Sequence, residues 1–344
     1  MSVVGIDSHK ATLAACAIDG AGVVLAERIF PNEPAGFDAL TGWLAEHGAE
    51  RIGLEGSAGY GAAAARHLVA AGLAAVEVPP QLSHRERIRT RRAGKSDPGD
   101  ALAIARVTLR EAELPPVRLA DASREIQLVV QAREDLVAEA TRVRNRLHAD
   151  LVVLVPGYAA TAANLVAVRH RTAVARLLRK LAGVHAELAR DRLARLNRLT
   201  GEVRELECRI ERTVAGHPLR SLPGAGPLVA AKLIGEIGDI RRFRSADAFA
   251  MLAGVAPIPA SSGQVSRMRL NRGGNRQLNR ALWCIAFSQA KTHEPARAFI
   301  ARKKAEGKSW REAMRALKRH LARVVFRLLS LPITQVSSGS ILGA

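Results

Sequence analysis

Four acidic residues stand where carboxylates do chemistry. Asp7 lies in Val4-Gly-Ile-Asp-Ser-His-Lys10, Glu55 in Gly53-Leu-Glu-Gly-Ser57, and Asp97 and Asp100 in Lys95-Ser-Asp-Pro-Gly-Asp-Ala101. The first two each end a short apolar run that reads as a buried strand. The other two open a helix, three residues apart and therefore on one face. Carboxylates gathered at strand ends repel one another unless a cation offsets them, and a divalent metal is the usual one. In a chain of net charge +20, such a cluster points to metal-assisted chemistry on phosphates. Taken singly, Asp97 reads as a helix N-cap before Pro98, and Asp100 as a first-turn acid favoured by the helix dipole. The company of Asp7 and Glu55 tips the reading towards a site.

A second set lies late in the chain. The run Ala253-Gly-Val-Ala-Pro-Ile-Pro-Ala-Ser-Ser-Gly263 is followed by Arg267, Arg269, Arg272, Arg276 and Arg280, with no acid among them. Serines in such a loop can be simple turn formers. Beside clustered arginines they can also supply a nucleophile, with the guanidinium groups neutralising an attacked phosphate. Leu222-Pro-Gly-Ala-Gly-Pro227 reads as a helix-hairpin-helix turn, where Gly224 and Gly226 let backbone amides approach a DNA phosphate. Arg85, Arg87, Arg89, Arg91, Arg92 and Lys95 form a basic run that leads into Asp97, either a solvated helix face or a phosphate guide. A later basic stretch, Arg297 to Arg319, suits a nucleic-acid-facing surface. The histidines at 9, 84, 293 and 320 show no ligand spacing and receive no role.

The composition agrees with a polyanionic partner: 52 Lys+Arg against 32 Asp+Glu among 344 residues. Aromatic residues are only 3%, so backbone electrostatics and not base stacking should dominate recognition. Cys16, Cys208 and Cys284 lack metal or disulfide spacing and read as small core residues in a reducing compartment. The longest uncharged stretch, Leu151 to Val168, is broken by Pro156-Gly157, which argues against a membrane span and for a cytoplasmic protein.

These residues need elements to hold them. Val3–Asp7, Leu13–Ile18 and Val23–Ile29 read as strands, with Asp19-Gly20 as a hairpin turn. Pro34–Glu46 and Gly61–Ala71 read as helices, and Ile52–Glu55 and Ala74–Val78 as further strands. An antiparallel meander followed by helix-linked strands is the ribonuclease-H-like order, an α/β fold. Long helices are expected over about Ser123–Leu154, Ala163–Leu181 and Val184–Val214, as a helical bundle or a coiled coil. The expected domains are 1–122 for the carboxylates, 123–215 for a helical oligomerisation segment, 216–332 for a mainly α C-terminal domain, and 333–344 for a tail.

The Gly-Ile-Asp-Ser-His-Lys, Leu-Glu-Gly-Ser, Asp97-Pro-Gly-Asp100-Ala and Ala-Gly-Val-Ala-Pro…Ser-Ser-Gly…Asn-Arg-Gly-Gly-Asn-Arg blocks together resemble one family. It comprises the insertion-sequence transposases with an N-terminal RuvC-like DEDD domain and a C-terminal serine transposase domain, the bridge-RNA-guided recombinases. The resemblance implies Mg2+, with Mn2+ as a substitute, on Asp7, Glu55, Asp97 and Asp100. It implies Ser262, or its neighbour Ser261, as a nucleophile that forms a phosphoserine link to DNA. It further implies donor and target DNA as partners, an element-encoded bridge RNA as guide, a homodimer assembling to a tetramer on DNA, and a nucleoid-associated bacterial protein. A Mg2+-dependent Holliday-junction-type nuclease and a DNA invertase are the competing readings.

Overall fold

The computed structural model describes residues 2–89, 97–117, 122–259, 268–271 and 273–330, with the side chains at 97, 98, 259 and 268–270 left aside. The chain divides into two units: Met1–Asp121 with Arg241–Arg244, and Ala122–Ile240 with Ser245–Ala344.

Unit one is a five-stranded mixed sheet with helices on both faces. Strands β1 (Ser2–Ser8), β2 (Thr12–Asp19) and β3 (Val24–Pro31) form the meander. Helix α1 (Pro34–Glu46) leads to β4 (Ala49–Glu55), α2 (Ala62–Ala70) to β5 (Ala75–Glu77), and α3 (Pro80–Arg89) and α4 (Asp97–Arg110) follow. The strand order is β3-β2-β1-β4-β5. β1 to β3 pair antiparallel, whereas β4 pairs parallel with β1 and with β5. The β2–β3 turn forms because the Asp19 carboxylate accepts bonds from the Ala21 and Val23 amides, each 2.9 Å, an Asx turn.

Period-two alternation sorts the side chains of β1 between the two faces. Val4 and Ile6 join Leu40, Trp43 and Leu68 under α1 and α2, while Val3, Ala14, Cys16 and Ile18 pack beneath Ala101, Leu102 and Ala105 of α4. Gly5 and Gly53 sit under α4 at its closest approach. A Cβ on Gly5 would lie 2.2 Å from the Ala105 amide nitrogen, and one on Gly53 would lie 1.8 Å from Thr108 Oγ1. Only glycine lets this helix lie so close to the sheet.

Unit two opens with α5 (Ala122–Leu154), α6 (Val168–Arg179) and α7 (Val184–Val214). α5 and α7 run antiparallel, as the pairing of Arg133 with Glu207 and of Arg195 with Glu139 shows. α6 begins later than its apolar pattern suggests. Asn164 turns its side chain onto the Val166 and Ala167 amides and holds that stretch out of the helix. The remainder is α8 (Pro227–Ile237), α9 (Ala246–Leu252), a short strand pair β6 (Pro257–Pro259) and β7 (Met268–Leu270), α10 (Arg276–Thr292), α11 (Glu294–Ala305) and α12 (Trp310–Ser330). The strand pair was not foreseen; three-residue strands carry too little pattern to be legible.

Of the cysteines, Cys16 is buried as expected, but Cys208 and Cys284 are exposed on α7 and α10. No helix among the described residues is long and apolar enough to cross a membrane.

Candidate functional site

Asp7 and Glu55 are registered partners across the parallel β1–β4 pair, so their side chains leave the sheet on the same face. That face is the one α4 covers, as Gly5 and Gly53, each two residues earlier, show by their contacts with α4. Asp100 sits in the first turn of α4, one residue before the Ala101 carbonyl that touches Gly5, and its side chain is 7% exposed. The close seating of α4 therefore carries Asp100 to the carboxylate end of β1 and β4. Asp97 begins the same helix; its side chain lies outside the described residues.

Burial pushes the Glu55 carboxyl above the usual carboxylate range. A bond from Ser83 opposes that shift, the charge of Asp7 reinforces it, and Arg87 and Asp100 act more weakly in opposite senses. Ser83 Oγ donates to Glu55 Oε2 at 2.5 Å, and Arg87 Nη1 lies 2.9 Å from Asp100 Oδ1. Both partners come from α3, whose inner face presents Ser83, Glu86 and Arg87. His9 Nε2 lies 3.1 Å from Asp7 Oδ2. The sequence does not single out Ser83, or Arg87 as an Asp100 partner, and the reading of His9 as without a role is corrected by its contact with Asp7. For Arg87 a signal existed, its place in the basic run; for Ser83 and His9 only the fold supplies one.

The other residues of that basic run divide. Arg85 and Arg89 point to solvent on α3, with Arg89 4.0 Å from Glu86, which Arg110 also contacts at 2.5 Å. Arg91, Arg92 and Lys95 lie outside the described residues.

Asp7 and Asp100 thus both act on Glu55, and among the described residues the Arg87 guanidinium and the His9 ring lie beside Asp100 and Asp7. No group of three possible metal ligands is drawn together among the described residues. Hard oxygen donors, one of them pushed above its usual range by burial and further by Asp7, still make a donor set of the kind a divalent cation takes. Arg87 on Asp100 Oδ1, Ser83 on Glu55 Oε2 and His9 beside Asp7 Oδ2 each engage one oxygen of a carboxylate.

In unit two, the Asn-Arg-Gly-Gly-Asn loop is clamped by its own amides. Asn271 Nδ2 donates to the Met251 carbonyl at 2.9 Å. Asn275 accepts from the Gln277 and Leu278 amides as the N-cap of α10, and donates to Glu236 at 2.7 Å. Gly274 lies directly on Gly254, where an added Cβ would approach the Gly254 Cα to 2.3 Å. These contacts orient α10 and with it Arg276 and Arg280. Ser261, Ser262, Arg267 and Arg272 fall outside the described residues, and Arg269 is described only as a backbone position of β7.

The Leu222–Pro227 turn has Gly224 at φ +85° and Gly226 as the N-cap of α8. Its Pro223 carbonyl accepts from Gln289 at 2.7 Å, and a Cβ on Gly224 would lie 3.0 Å from the Ser288 side chain. This side of the turn is packed on α10.

Two family models match the chain: one described as a transposase, DEDD_Tnp_IS110, over residues 4–156, and one described as the transposase IS116/IS110/IS902 family, over residues 216–301. The chain is 28% identical to the insertion element IS900 uncharacterized 42 kDa protein of Mycobacterium paratuberculosis, covering 94% of each chain. It is 27% identical to the mini-circle putative transposase for IS117 of Streptomyces coelicolor, covering 92% of this chain and 90% of that one. Over 131 residues it is 37% identical to the insertion element IS110 uncharacterized 43.6 kDa protein of the same organism, covering 37% of this chain and 32% of that one. Among solved structures, a T. thermophilus RuvC in complex with a Holliday junction substrate matches 30% of this chain and 90% of that one. At 19% identity and a TM-score of 0.26, that likeness carries no weight for fold or function.

Proposed function

We propose that this chain is an insertion-sequence transposase, as its matches to two transposase models and to relatives along nearly its whole length support, and that it cuts and rejoins DNA through a serine nucleophile and a metal-assisted carboxylate site. The observation that supports the carboxylate half of this reading is the register of Asp7 with Glu55, with α4 laid close enough to bring Asp100 to the same end of the sheet; the serine rests on the family resemblance. Asp7, Glu55, Asp97 and Asp100 are the residues that would hold Mg2+ or Mn2+. When bound, such an ion neutralises phosphate charge and activates an oxygen nucleophile or leaving group.

The residues of the chain divide the remaining work. Ser262 Oγ attacks the DNA phosphorus, a phosphoserine ester forms as the P–O bond to one strand end breaks, and that end leaves as a hydroxyl carrying the serine proton. Attack by the hydroxyl of another strand reverses the exchange, so no external energy source is required. Arg267, Arg269, Arg272, Arg276 and Arg280 neutralise the phosphate, and Ser261 is the substitute nucleophile. Arg85, Arg89, Arg91, Arg92 and Lys95 guide the backbone towards the carboxylates, and Gly224 and Gly226 present amides to a phosphate as a helix-hairpin-helix.

The domains run 1–122, 123–215, 216–332 and 333–344, with the second mediating assembly as a homodimer and then a tetramer on DNA. A bridge RNA reads donor and target sequence, which leaves the protein to hold backbones. Support for the RNA rests on the family resemblance and on the basic composition alone.

The test is to express the chain with its flanking DNA, denature the extract, and map any protein–DNA adduct by peptide mass spectrometry. An adduct on Ser262, lost in Ser262→Ala, is expected. Mg2+-dependent cleavage with no adduct on Ser262 or Ser261 would replace this reading with a junction-type nuclease.

A further inference from the structure

Aromatic residues are 3% of the chain, yet two of its three tryptophans meet on the surface of unit two. The rings of Trp283 and Trp310 lie edge to face with centroids 5.9 Å apart, and Trp283 stacks on Phe287 at 6.0 Å and 22°. All three stay open to solvent: Trp283 is 36% exposed, Phe287 41% and Trp310 42%. Aromatic rings left this accessible are unusual unless something covers them.

Trp283 also lines a cleft of about 580 Å3 together with Arg276, Asn279, Arg280 and Lys318. Arg276, Arg280 and Trp283 fall on one face of α10, at spacings of four and three. Lys318 reaches in from α12, its Nζ 5.8 Å from the Trp283 ring centre and 2.8 Å from Asn279 Oδ1. Asn279 is itself fixed, donating through Nδ2 to the carbonyls of Ala253 and Gly254 at 3.1 and 2.9 Å. Lys318 is only 6% exposed, and its side chain has two more protons to donate than Asn279 accepts. Burial and the neighbouring Arg315 both disfavour its charged form. No carboxylate among the described residues pairs with Lys318, Arg276 or Arg280. Lys318 is thus a buried, held cation with exposed Arg276 and Arg280 beside it on α10, and an anion arriving from outside would complete the set.

We propose that this cleft receives a single unpaired nucleotide of a nucleic-acid strand, its base stacked on Trp283 and its phosphates held by Lys318, Arg276 and Arg280. The inference rests on the nucleic-acid reading above and adds a recognition element to it. The cleft volume falls in the range of about 300–1,000 Å3 typical of small-ligand sites. An aromatic face beside cations is the arrangement that binds bases without reading sequence.

The test uses the full chain and four probes: a blunt DNA duplex, the same duplex with one bulged fluorescent adenine analogue, and the RNA counterparts of both. The quantity read is the ratio of bulged to blunt affinity by anisotropy, together with quenching of the analogue. Wild type should prefer the bulged duplex by roughly tenfold and quench its emission. Trp283→Leu should bring the ratio close to one, and Trp283→Phe should restore most of it. Arg280→Gln, which leaves the aromatic cluster in place, should lower the salt dependence of bulged-duplex binding by about one ion. A larger ratio with RNA would assign the cleft to an RNA strand, and one with DNA to a displaced DNA strand. A wild-type ratio near one, or a preference that survives Trp283→Leu, overturns this inference and leaves DNA recombination standing. Failure to bind any probe would remove the nucleic-acid reading as well.

Discussion

Asp7 and Glu55 face each other as registered residues of two parallel strands, and the cost of holding two carboxylates there is visible at Glu55, whose carboxyl is pushed up by burial and by Asp7. The folded state thus holds its Glu55 proton to higher pH than the unfolded chain does. Between the unfolded and folded values the native state binds more protons, so this group makes stability fall as pH rises, and the cost is fully present above the folded value. Glu55→Gln removes that cost. The variant is expected to melt higher than wild type at neutral pH without divalent metal, with the gap closing as pH drops below the ordinary glutamate range. Added Mg2+ should raise the melting temperature of wild type and not of Glu55→Gln. Calorimetry across pH with and without Mg2+ checks both statements, and a variant that melts lower at neutral pH would contradict them.

Arg87 holds Asp100 at 2.9 Å and so competes with any cation for that carboxylate. Arg87→Gln should therefore tighten Mn2+ or Mg2+ binding, by roughly three- to tenfold for an ion pair worth about 1 kcal/mol, while weakening retention of a phosphate backbone. Titration calorimetry of the full chain measures the first effect. Unchanged or weaker metal binding would show that Arg87 instead supports the ligand set.

Backbone contact at Gly5 and open space at Gly42 make predictions of opposite sign. At Gly5 a Cβ would fall 2.2 Å from backbone, so Gly5→Ala forces α4 off the sheet and should cost about 2–3 kcal/mol or more. Gly42 lies inside α1 with nothing within 4 Å of an added Cβ, and Gly42→Ala should stabilise by about 0.5–1 kcal/mol. Urea midpoints of the two variants report the contrast. Activity in Gly5→Ala should fall together with stability, because Asp100 moves with α4.

A pair in unit two, buried on its lysine side and part-exposed on its glutamate side, sets the support of α10. Lys232 contacts Glu134 closely and donates to Gln277 at 3.0 Å, with its side chain 8% exposed. Glu134→Ala strands that ammonium group and should cost about 3–5 kcal/mol, whereas Lys232→Met, which fills the same space without charge, should cost much less. Thermal melts rank the two, and the reverse order would mean that the alkyl stem of Lys232 matters more than its charge.

Much of unit one was legible from residue types in order. Apolar runs ending in Asp7 and Glu55, an Asp19-Gly20 turn and helices between later strands give a mixed sheet, because alternation and turn chemistry are local properties. The limits of α6 were not legible, since Asn164 decides them with a side-chain bond that competes with the helical pattern. Cys284 was read as core, yet it lies on an outward face of α10, which only the packing of α11 and α12 settles.

By itself, then, the sequence determined which carboxylates and arginines are available, the order of the elements that carry them, and a charge that calls for a polyanion. Tertiary structure alone decided that Gly5 and Gly53 let α4 descend onto β1 and β4, that Ser83 and Arg87 close over Glu55 and Asp100, and that Trp283 shares a cleft with Lys318. Those pairs are separated in the chain by 28, 13 and 35 residues. No short-range pattern spans such distances, and the contacts exist only once close packing has fixed which faces meet.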